Sequence, residues 1–495
     1  MTRQYLSKSK VMAGRQCEKR LWLEVRRHDL IEHGPDVEQR FAVGHDVNNV
    51  ARAQYPGGAL ISYDHGAEAA VEDTKRLLEE QPGTPIFEAT FKAQDVLVRV
   101  DILKPCREGF ELIEVKASTS VKDHHYEDCA VQTWVLECAG IPVNAIYLCH
   151  IDNQFVYPGN DDYRGLFHYK NITKEVQDLS LTVPQWVQRY RERLNGGKPI
   201  IEMGSQCTAP YSCPFIDYCR GKETEYPLRC MPCPRGTRQV IDSLADEGIE
   251  DIRDIPEGRL SNNKQKWVRR VTIAGEPELK PEAAEVGAYD YPRYYLDFET
   301  IQFAVPIWAG TRPYEALPFQ WSCHIELANG ELRHEEYVDT VGNSPMRICA
   351  ESLLRVVGKE GPVFTYAPYE KRILNALATR YPDLAEDLHK LIERLVDLLP
   401  IVQRTYYHPD MLGSWSIKNV LPTVAPHLDY GSLGEVQDGN AAGTAYLRII
   451  NPETDKAECQ RLVRELLAYC KLDTLAMVEL VKYLSSGAKP TYKDV

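Results

Sequence analysis

Apolar and polar positions along the chain fall into the same kinds of run in its two halves. Residues 85–91 (PIFEATF), 95–103 (DVLVRVDIL) and 110–117 (FELIEVKA) are short, rich in β-branched residues and closely spaced around the turn CREG. This pattern predicts a hairpin or meander. The stretches 37–54, 67–80 and 124–139 predict helices, and VNAIYLCHI predicts a further strand. In the other half YYLDFET predicts a buried strand, and PFQWSCHIEL and GELRHEEYV a hairpin about the turn ANG. PVFTY follows as a strand set among helices. Both halves therefore read as α/β, each a mixed sheet with helices around it.

A chain of 495 residues exceeds one ordinary core. Residues 271–292 are rich in Pro, Gly and acid and read as a linker, and a smaller break falls near 221–236. Between the two, 237–270 reads as a short helical module. The expected division is 1–225, a connector at 226–290, and 291–495.

Composition narrows the class. A hydrophobic content of 43% supports packed cores. No apolar run reaches the roughly 18 residues of a membrane span, and the start MTRQYLSKSKVMAGRQC lacks a signal-peptide core. The expectation is a cytoplasmic protein with no membrane partner. Fourteen cysteines in such a chain do not point to disulfides. Cys138, Cys149, Cys323 and Cys470 lie in apolar stretches and read as small hydrophobes. The net charge of −14 argues against a general coater of nucleic acid. It permits clustered carboxylates that hold cations, with local basic tracks at 1–30 and 259–270.

Two strands in the first half carry charges that a β-branched core would exclude. Asp101 lies in DVLVRVDIL, and Glu114 and Lys116 share one face of the next strand. Paired strands would set Asp101 beside Glu114, where two carboxylates can hold Mg²⁺ or Mn²⁺. The metal would lower the pKa of an attacking water, and Lys116 would orient that water or neutralise the phosphorane. Asp101, then Glu114-Val115-Lys116, then a helix carrying Gln132 resembles the PD-(D/E)xK nucleases of the RecB type. The resemblance implies a restriction-endonuclease-like mixed sheet and adds Glu88 as a candidate ligand. That family places a histidine ligand on an early helix. Here His45 directly follows Gly44, and Asn48 stands at the usual position.

Cys17 precedes this region, and Cys207, Cys213 and Cys219 follow it in QCTAPYSCPFIDYC. Four thiolates can hold a [4Fe–4S] cluster or a structural Zn²⁺ and so clasp the two ends together. The arrangement resembles the iron–sulfur RecB-like nucleases, which implies iron–sulfur, although both steps here are C-x5-C. Cys230 and Cys233 form a separate C-x2-C with no second pair in sequence reach.

The second half carries Asp297 and Glu299 on one face of YYLDFET. Far downstream, Tyr469 and Asp473 lie four residues apart on a helix, and Glu370 sits at a strand-to-helix junction. Converging carboxylates of this kind can hold two divalent cations, with Tyr469 positioning a water. The set resembles the DEDD exonucleases of the RNase H-like fold, in the subgroup with tyrosine. Tyr366-Ala-Pro-Tyr369-Glu370 replaces that family's Asn-x-x-Phe/Tyr-Asp, and Asp397 is a possible substitute. Lys418 and Trp415 are candidates for strand contact or for packing. The resemblance of both halves implies a metal-dependent nuclease acting on single-stranded DNA or DNA ends, with 3′→5′ trimming by the second half. RNA stays open as its substrate. The alternative is a non-catalytic iron–sulfur scaffold that binds nucleic acid through degenerate nuclease folds.

Overall fold

The computed structural model describes residues 5–31 and 35–487. The chain divides into two compact units, 1–221 with 303–315, and 222–302 with 316–495.

The first unit is built on a seven-stranded mixed sheet. Its strands are β1 (Leu6–Ser7), β2 (Ala59–Leu60), β3 (Ile86–Ala93), β4 (Val96–Cys106), β5 (Gly109–Lys116), β6 (Val143–Ile151) and β7 (Phe167–Asn171). The order is β2-β3-β4-β5-β6-β7, with β1 added parallel to β4. The helices are α1 (Lys8–Gln16), α2 (Glu18–Arg26), α3 (Pro35–Ala53), α4 (Ala67–Glu80), α5 (Asp123–Cys138), α6 (Thr173–Ser180), α7 (Val183–Asn195) and α8 (Ile216–Arg220). α5 buries Cys129, Val131, Val135 and Leu136 against one face of the sheet, together with Val98, Val100 and Leu112. α3 sets Val47 and Ala51 against the other face, on Ile102, Ile113 and Val115. The alternation of β5, with Ile113 and Val115 on one side and Leu112 on the other, is what separates the two cores.

β4 is forked along one edge. Its start pairs with β1 at Val96 and Leu97, and its end pairs with β5 from Ile102 onward. Residues 98–101 therefore have a ladder only with β3, and even there the register skips Glu88 and Asp101. Glu88 takes a left-handed φ of 56° at this point. A strand edge left unpaired inside a sheet needs other partners for its neighbours' backbone groups. The first cluster of charged side chains supplies them.

In the second unit α9 (Arg238–Asp246), α10 (Asn263–Ala274) and β8 (Glu278–Leu279) precede the sheet. Its strands are β9 (Arg293–Ile301), β10 (Leu317–Glu326), β11 (Leu332–Val338), β12 (Val363–Thr365) and β13 (Leu395–Asp397), with β14 (Tyr406–Tyr407) paired to β8 alone. The order is β11-β10-β9-β12-β13. β9, β10 and β11 are antiparallel neighbours, whereas β12 and β13 run parallel to β9. α11 (Met346–Val356), α12 (Tyr369–Arg380), α13 (Ala385–Glu393), α14 (Leu398–Thr405), α15 (Ile417–Val424), α16 (Gly439–Ile450) and α17 (Lys456–Ser486) complete it. No helix among the described residues is long and apolar enough to cross a membrane.

Three details differ from the sequence reading. Residues 226–290 do not stand apart as a connector. Leu228, Met231, Leu244, Trp267 and Val271 enter the same core as Tyr406, Trp415 and Leu480. The stretch read as a linker contains a short 3₁₀ segment, Pro281–Ala288, that buries Ala283 and Val286 in that core. Two small apolar residues one turn apart suffice for this, and Pro- and acid-rich composition masks them. Finally, residues 303–315 leave the hairpin between β9 and β10 and join the first unit. Tyr157 and residues 310–311 exchange backbone hydrogen bonds there, at 3.0 Å to Thr311 O and 2.7 Å from Gly310 N.

Gly413 shows how tightly the 226–234 segment is seated. Its φ is +71°, and a Cβ there would lie 1.7 Å from Cys230 O. Gly413→Ala is expected to cost at least ~2 kcal/mol, because strain and overlap coincide. Chemical denaturation checks this, with an unchanged midpoint as the contrary result.

Candidate functional sites

The first cluster forms where β4 forks. Asp101 Oδ2 accepts the Val115 N–H at 2.7 Å, taking the place of the missing ladder bond. Glu114, 1% exposed, receives Gln132 Nε2 at 2.7 Å and the Lys116 and Lys8 ammoniums at 2.5 and 3.0 Å. Lys116 also reaches Asp128 at 2.5 Å, and Lys8 reaches its other oxygen at 3.1 Å. The period-two alternation of β5 thus sets Glu114 and Lys116 side by side, and α5 brings Gln132 onto them. Burial, reinforced by Glu114, pushes the Asp101 carboxyl up to about 8. Burial would raise the Asp128 carboxyl too, but Lys116 and Lys8 outweigh it and hold that group well below its ordinary range. Among the described residues Lys8 and Lys116 form their ion pairs with Glu114 and Asp128, and act on Asp101 only from beyond ion-pair distance. A carboxyl of that kind is poised to exchange its proton for a metal ion.

Two members were not read from sequence. Asp128 stands four residues before Gln132 on α5, so helical spacing alone puts both on one face. Lys8 arrives because β1 pairs with β4 and α1 starts at the next residue, and no local pattern announces that. His45 lies exposed on α3 and belongs to no grouping of ligand atoms among the described residues. Asn48, one turn on, holds a buried amide oxygen with no hydrogen-bond partner. Glu88 is engaged by Arg52 and, at 2.9 Å, by Arg99.

The four cysteines outside the sheet come together. Cys17 is the extended residue that separates α1 from α2, with φ −164° and ψ 123°. Cys17, Cys207, Cys213 and Cys219 line one small cavity with Leu23 and Phe215. Gln16 Nε2 donates to Gln206 O and to Tyr211 O, both at 2.7 Å, and ties the cysteine loop to the first helix pair. No three of the four thiols lie within 4.8 Å of one another. Four thiolates lining one cavity suit a structural Zn²⁺ or an iron–sulfur cluster. Cys230 stays partly buried and Cys233 exposed. Cys149, Cys323 and Cys470 are buried as the apolar runs predict, whereas Cys138 is exposed at the end of α5.

The second cluster lies on β9. Asp297 and Glu299 share a face, and α17 presents Tyr469, Cys470 and Asp473 to it. Ligand atoms of Asp297, Glu299 and Cys470 all fall within 4.8 Å of one another. The Cys470 thiol sits 3.4 Å from Asp297 Oδ2, and Tyr430 donates to Asp473 Oδ1 at 2.5 Å. Glu370, 3% exposed in the first turn of α12, has a buried carboxylate oxygen with no partner. Burial raises the carboxyls of Asp297, Glu299 and Glu370 well above their usual range. Asp473 adds to this for Asp297, and Asp297 for the other two. Asp473 is pushed up to about 6 by burial. Lys418 places its ammonium over the Tyr469 ring at 5.2 Å and donates to Gln437 O at 2.7 Å. It is the cation whose charge offsets Glu299 and Asp473. Trp415 packs, its indole N–H donating to Tyr406 O at 2.9 Å. Asp397 caps α14, accepting from Leu399 N and Ala367 N at 2.9 Å each. Both bonds use Oδ1, and the Asp397 charge also acts on Glu370.

Each raised carboxyl holds its proton more tightly folded than unfolded. The stability this gives is present below the unfolded value of 3.8 for aspartate. It is lost as pH rises through about 6 for Asp473, and as pH rises through their raised folded values for the others. In chelator, the melting temperature of the second unit is expected to fall across that window. Mn²⁺ added at pH 8 is expected to raise it, and less so in Asp297→Asn. Thermal denaturation with and without Mn²⁺ checks the sign.

A family model described as "Domain of unknown function (DUF2779)" matches residues 294–416, a span that holds Asp297, Glu299 and Glu370. No curated protein matches the chain. Among solved structures, the chain is similar to one titled "Crystal structure of SSO0001". The identity is 13%, over 45% of this chain and 90% of that one, with a TM-score of 0.21. Both units belong to the mixed α/β class.

Proposed function

We propose that the protein is a metal-dependent nuclease with one phosphodiester-cleaving site in each unit. The observation that carries the proposal is the state of the carboxylates. Asp297, Glu299 and Glu370 in the second unit are buried next to further acids, with Lys418 offsetting Glu299 only in part, and Asp101 in the first is buried beside Glu114. Uncompensated buried charge is costly and is tolerated where a bound metal supplies the balance. In the first unit Asp101 and Glu114 would hold Mg²⁺ or Mn²⁺, which would supply an activated water and polarise the phosphate. Lys116, fixed by Glu114 and Asp128, stands where it can stabilise charge on the phosphorane. The forked strand and the Gln132 bond to Glu114 support a RecB-like PD-(D/E)xK reading.

In the second unit, three antiparallel strands followed by two parallel ones, with the acids on the central β9, support an RNase H-like exonuclease of the DEDD type. Asp297, Glu299, Glu370 and Asp473 would hold the cations there. The gathering of Cys17, Cys207, Cys213 and Cys219 around one cavity supports a metal clasp; the resemblance to iron–sulfur RecB-like nucleases favours a [4Fe–4S] cluster, with Zn²⁺ as the alternative. Its role is structural. Single-stranded DNA or DNA ends are the proposed substrate.

Cation binding tests the proposal. Mn²⁺ titration followed by electron paramagnetic resonance is expected to show sites lost separately in Asp101→Asn and Asp297→Asn. Cleavage of single-stranded DNA is expected to stop in EDTA and return with Mn²⁺. Cleavage that persists in EDTA, or Mn²⁺ binding unaltered in both variants, would refute it.

A further inference from the structure

The loop between Cys207 and Cys213 carries an exposed aromatic ring to the edge of the first cluster. Tyr211 is 49% exposed. Its carbonyl is held by Gln16 Nε2, and the loop is closed by Cys213 N donating to Cys207 O at 2.8 Å. Its hydroxyl meets His124 Nε2 at 2.8 Å, and the two rings stand edge to face at 5.0 Å. His124 packs in turn on the buried His125, with centroids 4.4 Å apart. His124, Asp128 and Gln132 follow at intervals of four along α5, so they form one stripe that runs from this aromatic pair into the carboxylate cluster. The charges that act on Tyr211 are those of the cluster itself, Lys116, Asp128 and Glu114, with Arg40 beside them.

An aromatic ring fixed by its backbone, half open to solvent and bonded to His124, one helical turn before the Asp128 that pairs with Lys116, suits one kind of ligand. Every nucleobase has a face to stack, and a strand whose phosphate lies at the cluster would carry a neighbouring unpaired base past this ring. Burial and the nearby Lys116 lower the proton affinity of His124. The imidazole is then neutral at neutral pH and adds a hydrogen-bonding edge without charge. We infer that Tyr211 and His124 form a stacking subsite for an unpaired nucleobase at the mouth of the first carboxylate cluster. This inference rests on the nuclease reading for the nature of the ligand. It gives the cysteine clasp a second consequence, since the loop that binds the thiols also holds the stacking ring. Preference for single strands follows, because a paired base cannot leave its stack without cost.

The test is binding of a labelled single-stranded oligonucleotide and of the same sequence as a duplex, by fluorescence anisotropy. Ca²⁺ replaces Mg²⁺ so that the strand is held and not cut. Tyr211→Ala is expected to weaken single-strand binding about tenfold or more, the effect of losing one stacked base, and to change duplex binding less than twofold. Tyr211→Trp keeps a stacking ring and is expected to bind single strands at least as tightly as wild type. Melting temperature and metal content of both variants should match wild type, since the ring is half exposed. Single-strand binding unchanged in Tyr211→Ala, or weakened equally for both substrates, overturns the inference, as does weak binding by Tyr211→Trp. Cleavage in Mn²⁺ reports separately on the nuclease reading. A protein that cuts, but binds single strands without need of Tyr211, keeps the nuclease and loses the subsite. A protein that binds single strands through Tyr211 and never cuts keeps the subsite and loses the nuclease.

Discussion

Lys116→Ala is expected to reduce cleavage by the first unit by roughly a hundred- to a thousandfold, the scale of losing one fixed charge-stabilising donor. Lys116 sits at 2.5 Å from both Glu114 and Asp128, so its ammonium has a single defined position in front of the forked strand. Nothing else occupies that position. Lys8 holds the same two carboxylates, but it comes from α1 and lies 3.0 Å from Glu114 and 3.1 Å from Asp128. Lys8 is therefore expected to preserve the fold of the cluster when Lys116 is removed, and not its chemistry. A turnover number that falls while single-strand affinity and melting temperature hold is the expected result. Loss of the fold together with activity would instead make Lys116 a structural residue.

Cys17→Ser is expected to have the largest effect on stability. The proposed clasp would join segments far apart in sequence, as the Gln16 bond to Gln206 across 190 positions illustrates. Closing a loop of that length removes about 5 kcal/mol of conformational freedom from the unfolded chain, in the entropic account of such crosslinks. In a unit of this size the loss corresponds to a fall of roughly 10–20 °C in melting temperature. Iron and zinc analysis should show loss of the bound metal together with that fall. The second unit's transition, identified as the one whose response to Mn²⁺ is lost in Asp297→Asn, should not move. Equal stability of Cys17→Ser and wild type with equal metal content would remove Cys17 from the clasp.

What was legible in the sequence depended on how local its cause was. Asp101, Glu114 and Lys116 stood out because charge interrupts strands otherwise made of Val, Ile and Leu. Asp297 and Glu299 stood out for the same reason on β9, and Tyr469 and Asp473 through their helical spacing. Asp128 carried a usable signal in its spacing from Gln132 that composition did not highlight. Lys8 carried none, because its place depends on β1 pairing with β4 across some ninety residues of chain. Lys418 and Tyr430 likewise reach the second cluster only through tertiary packing. The misread linker has a related origin. Local composition reports what a segment cannot form, a long helix or strand, and is silent on whether two small residues such as Ala283 and Val286 find a core. The return of residues 303–315 to the first unit is a long-range event of the same kind.

The most direct test of two-site cleavage is digestion of end-labelled single-stranded DNA in Mn²⁺ by wild type, Lys116→Ala, Asp297→Asn and the double variant, each with its cysteine clasp loaded. Each single variant is predicted to lose one product pattern, with stepwise shortening from the 3′ end lost in Asp297→Asn, and the double variant to lose both. A wild-type protein that binds the strand and leaves it intact would contradict the account and make the chain a nucleic-acid-binding scaffold.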